Sequence, residues 1–140
     1  EPFATMVMMK NEKASIALDF QEEWKNIYKT DSAYPQTCLV VNKNFAQKHP
    51  DIVENFLKLY EASIDWANDN PAQAGMLVEK HEIGLKAKMA EKAIPGCNMK
   101  FKNAESVKSL TEDYLSVLLD FSPQDIGGKL PDENFYYIKK

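Results

Sequence analysis

Apolar positions along the chain recur at helical spacing over most of its length and at strand spacing in a few short windows. Pro2 is suited to the first position of a helix, where its missing N–H costs nothing, and Met6, Met8 and Met9 follow it. Gln21–Tyr28 presents Trp24, Ile27 and Tyr28 as one apolar face. Pro50 opens the longest segment, with Asp51 and Glu54 in its first turn. Ile52, Val53, Phe56, Leu57, Tyr60, Ile64 and Ala67 then recur over about 18 residues of amphipathic helix. Asn70-Pro71-Ala72-Gln73 has the form of a capping box and predicts a further helix through Met76, Leu77 and Val78 to Gly84. A shorter helix is expected over Leu85–Ala93, ended by Pro95-Gly96. Asn103 or its neighbour caps the last long one, with Val107, Leu110, Tyr114, Val117, Leu118 and Phe121 as its buried stripe.

Two windows read as strands. Ser15–Phe20 alternates, with Ile16, Leu18 and Phe20 on one side. Within Thr37–Asn42, Cys38–Val41 is a continuous apolar run, the pattern of a strand covered on both faces. Asn98–Phe101 is a weaker third. Two or three strands among some five helices make a helix-rich α/β chain with an incomplete sheet, whose edges call for neighbours from elsewhere. The chain is expected to self-associate for that reason, by pairing strand edges or by docking the aromatic tail Phe135–Ile138.

Composition narrows the function. Apolar residues make up 44% and charged residues 27%, a globular balance, and the net charge of −4 disfavours a nucleic-acid partner. No apolar run is long enough for a membrane span. All seventeen cations are Lys, so this chain offers an anion no bidentate guanidinium, only ammonium groups, hydroxyls and helix-start N–H groups. No secretory leader precedes Glu1, which is compatible with a processed N-terminus.

Catalytic chemistry finds little support. His49 and His81 lie at helix boundaries in polar surroundings. No nucleophile elbow, P-loop or dinucleotide fingerprint is present, and neither a metal-ligand set nor a cofactor is implied. Glu22-Glu23 and Asp132-Glu133 are sequence neighbours that read as solvated charges rather than acid/base pairs. Cys38 and Cys97 either form one disulfide or are two separate small side chains. Two features suggest binding instead. Glu1-Pro2-Phe3-Ala4-Thr5 sets a carboxylate and a hydroxyl at a helix start, where plain capping is the competing reading. Tyr34-Pro35-Gln36-Thr37 places an aromatic ring, an amide and a hydroxyl just before an apolar strand, where an ordinary turn is the alternative.

Taken in order, Glu1–Thr5, Glu22-Glu23-Trp24, Tyr34–Pro71, Ala93–Phe101 and Ile126–Tyr137 resemble the C-terminal half of one family. These are the solute-binding proteins of ABC importers in the nitrate/sulfonate/taurine and thiamine-precursor group, of the periplasmic-binding-protein type II fold. The resemblance implies two α/β lobes holding a ligand in the cleft between them. Residues 1–33 would end the second lobe, 34–42 would be the crossover or hinge, and 43–140 the helical C-terminal part of the first. It further implies a small organic or oxyanion solute, a membrane permease as partner, and a parent that is lipid-anchored on the extracellular face or periplasmic. Glu1, Thr5, Tyr34 and Gln36 would face the ligand, and no residue would be catalytic. Two alternatives stand beside this reading: a pyrimidine-precursor-forming enzyme on the same scaffold, and a stand-alone helical interaction module.

Overall fold

The structure, a computed structural model, describes residues 1–138. Its seven α-helices among those residues are α1 (Phe3–Lys10), α2 (Phe20–Tyr28), α3 (Lys43–Lys48), α4 (Pro50–Asp69), α5 (Pro71–Lys80), α6 (Ala87–Ala93) and α7 (Lys108–Phe121). Short 3₁₀ turns cover Ile94–Cys97, Pro123–Ile126 and Glu133–Phe135. The chain divides into two compact units, one of Glu1–Ala17 with Val41–Phe101, the other of Leu18–Val40 with the chain from Lys102 onward.

The first unit is organised by small residues. Ala74 and Gly75 of α5 and Ala90 and Ala93 of α6 are buried. A Cβ on Gly75 would run into the backbone carbonyl of Ala87 and stand 3.0 Å from the Glu91 nitrogen, so only glycine lets α5 and α6 approach this closely. Glu79 at the end of α5 fixes the corner between them. Its carboxylate accepts the Ala87 N–H at 2.8 Å, the first N–H of α6, and pairs with Lys86 at 2.9 Å. Those donors hold its carboxyl below the usual glutamate value, the Ala87 N–H contributing most and Lys86 next.

Pro50 does stand at the first position of α4, but Val53 is that helix's single buried residue. Of its stripe, Ile52, Phe56 and Tyr60 are 38–50% exposed and Leu57, Ile64 and Ala67 half-buried, so the apolar face is only partly covered within the chain. Asn70 departs from the expected capping box. Its side chain caps no N–H of α5 and instead donates from Nδ2 to the Trp66 carbonyl, closing the end of α4.

In the second unit Asp19 caps α2 by accepting the Gln21 N–H at 2.9 Å, and Lys29 ends it in the left-handed conformation. Asn103 accepts the Ser106 N–H at 2.8 Å, so its cap closes a turn just ahead of α7. The stripe of α7 is half-buried, and Phe121 is 87% exposed. The aromatic tail is anchored through Tyr136, which is buried under a Lys108 ammonium 5.5 Å from its ring centre. Glu133 and Glu112 pair with the same lysine.

The expected strands do not form. Among the described residues there is no strand, so the α/β assignment with an incomplete sheet is corrected to a helix-rich fold. Residues 15–19, 37–41 and 98–101 have strand-forming sequences but no ladder partner. Ile16 and Leu18 are 62% and 64% exposed, and half-buried Met99 accepts a hydrogen bond on its carbonyl from the Asn68 side-chain amide at 2.9 Å. A strand exists only through pairing; period-2 patterning without a neighbour leaves irregular backbone.

Candidate functional site

The residues expected at a ligand fall into both units, and each group has its own surroundings. Glu1 and Thr5 belong to the first. The Glu1 Oε2 accepts the Thr5 backbone N–H at 3.0 Å, closing one of the free donors at the start of α1. Pro2, the residue at the cap position itself, supplies no side-chain bond. The other carboxylate oxygen lies over Gly96, where a Cβ would approach it to 2.8 Å. Glu1 therefore caps, as the plainer reading of this motif holds, and Thr5 is buried at 7% exposure. Cys97 adjoins this corner. Burial pushes its thiol above the ordinary value, with the Glu1 carboxylate adding to the effect. A thiol held protonated is a poor nucleophile. Cys97 and Cys38 lie in different units, and each is exposed with a free thiol.

Tyr34 belongs to the second unit and sits in an aromatic cluster. Its ring stacks on Tyr114 of α7 at 4.9 Å between centroids and 13° between planes. Trp24 of α2 packs at 5.3 Å from Tyr34 and edge-on to Tyr114 at 5.7 Å, while Tyr28 covers its other side at 4.1 Å. Gln21 donates from Nε2 to the Tyr34 carbonyl at 3.1 Å, which fixes the loop against α2. Two buried polar atoms here have no partner among the described residues: the Gln21 Oε1 acceptor and the Trp24 Nε1 donor. Unmatched buried groups cost free energy unless something satisfies them, and a ligand carrying both a donor and an acceptor is one way to do so. Gln36 is exposed and forms no hydrogen bond among the described residues.

The sequence singles out Tyr34 from its loop, whereas Gln21, Trp24 and Tyr114 join it only in the structure. Trp24 and Tyr114 were legible only as apolar-stripe residues, because the contact between α2 and α7 spans about ninety positions that no local pattern connects. A surface concavity of about 430 Å³ also lies along α2, lined by Glu22, Lys25, Asn26, Lys29, Thr30 and Asp31. It contains none of the residues expected at a ligand. Among the described residues His49 meets the Phe45 ring at 5.0 Å, His81 is exposed, and no group of three or more His, Cys, Asp or Glu is gathered to hold a metal.

The family model described as NMT1/THI5-like matches residues 4–74, half of the chain. The chain belongs to that family. The match includes Thr5, Tyr34, Gln36, Gln21 and Trp24, and it runs from α1 into α5. No curated protein and no solved structure matches the chain. This family comprises periplasmic binding proteins of nitrate, sulfonate and taurine ABC transporters and proteins of thiamine-precursor synthesis. Membership supports a solute-binding type of function at the family level, although the family also contains synthases. Its members are typically periplasmic or extracellular, with small solutes and an ABC permease as partners. No helix among the described residues of this chain is long and apolar enough to cross a membrane.

Proposed function

We propose that the chain is part of the solute-binding component of an ABC importer, capturing a small organic or oxyanion solute for delivery to a membrane permease. The observation that carries this reading is the aromatic cluster at Tyr34, where stacked rings adjoin an unmatched donor on Trp24 and an unmatched acceptor on Gln21. Rings of this kind grip a planar or apolar portion of a ligand, and a few polar atoms orient it. Tyr34 and Gln36, together with Glu1 and Thr5, are the residues assigned to solute contact. In this reading residues 1–33, 34–42 and 43–140 are the end of one lobe, a hinge crossover and the remainder of the other lobe. Solute shifts the receptor toward a closed form that the permease recognises. The parent protein acts on the extracellular face of the membrane or in the periplasm, held by a lipid anchor.

The test is a melting screen against sulfonates, pyrimidines and oxyanions, run with a Trp66→Phe variant so that Trp24 alone reports by fluorescence. A true solute raises the melting temperature by mass action and changes Trp24 emission. Failure of every solute to shift melting overturns the reading, and turnover of a bound pyrimidine would move the protein to the synthases.

A further inference from the structure

Past α7 the chain turns back on that helix. The turn Pro123–Ile126 is followed by Gly127 and Gly128, both left-handed at φ 74° and 79°, a conformation glycine takes without strain. From there the chain returns to the other end of the helix, where Glu133 and Tyr136 meet Lys108, the first residue of α7. All of this lies within the second unit. Asp132 shapes the return, accepting the Asn134 N–H at 2.8 Å on its carboxylate and the Phe135 N–H at 3.0 Å on its carbonyl. Among the described residues, the backbone-to-backbone hydrogen bonds of 123–136 reach no further than Ser122. Side chains hold the return to α7.

Lys108 is the centre of that attachment. Its ammonium pairs with Glu133 from the return and with Glu112 one turn along α7, and it stands 5.5 Å from the centre of the Tyr136 ring. A cation in the first turn opposes the helix dipole, so its place there is compensated by these partners and not by the helix end. Tyr136 is the one buried residue of 127–138, and Phe135 packs edge-on to it at 5.2 Å. The Tyr136 Oη has no partner among the described residues, and burying an unmatched hydroxyl costs free energy that the docked ring must offset. The rings gathered at Tyr34 meet a different face of α7. Glu112 and Tyr114 are two positions apart, about 200° around the helix, so the groups at Lys108 and Glu112 and the ring of Tyr114 point apart.

We propose that residues 129–138 are a strap, hinged at Gly127-Gly128 and fastened at Lys108, which lifts from α7 as one piece while the helix and the rings at Tyr34 stay in place. Lifting it uncovers the Lys108–Glu112 face of α7 and returns the Tyr136 hydroxyl to water.

The test is hydrogen exchange of the full chain, followed by mass spectrometry of its peptides. Amides of 129–138 should exchange together, at least about tenfold faster than those in the middle of α7. Lys108→Met keeps the length of the side chain and removes its charge. It should speed exchange of the strap roughly five- to tenfold, leaving α7 protection and Trp24 emission (read in the Trp66→Phe background) unchanged. Tyr136→Phe keeps the ring and removes the unmatched hydroxyl, so exchange of the strap should slow. Strap and α7 exchanging at one common rate overturns the proposal, because the return is then part of the helix's own folding unit. So does a strap indifferent to Lys108→Met, or one that Tyr136→Phe loosens, which would give the hydroxyl a bond that fastens it.

Discussion

The two units solve the problem of a small core in opposite ways. In the first, α5 and α6 touch through Ala74, Gly75, Ala90 and Ala93, and backbone lies against backbone. In the second, large rings of Trp24, Tyr28, Tyr34 and Tyr114 fill the space, and buried polar atoms are left without partners. The first arrangement gains dispersion contacts by close approach and tolerates no added volume. The second gathers half-buried rings around Trp24 and leaves the Gln21 Oε1 and Trp24 Nε1 atoms without a partner among the described residues.

Gly75→Val should break the contrast most strongly. Its side chain meets the Ala87 backbone, which cannot rotate aside, and the expected cost is about 3 kcal/mol. Trp66 lies in the first unit and Trp24 in the second, so single-tryptophan variants followed through urea unfolding read the two separately. The loss should register at Trp66.

Tyr114→Ala should act on the other side. It removes the stacking partner of Tyr34 and the edge contact of Trp24, at a cost of about 2 kcal/mol for a half-buried ring. Emission of Trp24 should move to longer wavelength, and any solute found in the melting screen should lose most of its effect.

The units should also separate by pH. The Glu79 carboxyl is held below its ordinary value of 4.5, chiefly by the Ala87 N–H. Its contribution to the α5–α6 corner is therefore full above that ordinary value and fades as pH falls through the lower folded one. Lys108 is raised above its ordinary 10.5, chiefly by the hydrogen bond to Glu133. Its contribution is full below 10.5 and fades as pH rises through the higher folded value. Acid should loosen the Trp66 unit first and alkali the tail of the Trp24 unit, measured as unfolding midpoints across pH. Glu79→Gln should flatten the acid side.

Glu1→Gln should have the smallest effect. The amide oxygen still accepts the Thr5 N–H, and only the favourable charge at the start of α1 is lost, under about 1 kcal/mol. A larger change in solute affinity than in stability would sharpen the assignment of Glu1 to ligand contact.

Much of the helical architecture was legible beforehand. The start of α4 at Pro50, the extent of α2 and the end of α6 near Pro95 follow from proline geometry, caps and apolar period, which are local. Asn70 closes α4 rather than opening α5 with its side chain, because a side chain at a junction can serve either end and the choice depends on how the two helices meet. Of the candidate cluster, Tyr34 stands out in the sequence from its loop, while Trp24 and Tyr114 join it only where α2 and α7 come together.

The strands mark the division most clearly. The residues at 15–20 and 37–42 determine a preference for extended backbone, but preference is not pairing. A helix satisfies its own N–H and C=O groups within a few residues, so a local pattern suffices to specify it. A strand must find its hydrogen-bond partners in another segment, and only the tertiary structure decides whether one arrives.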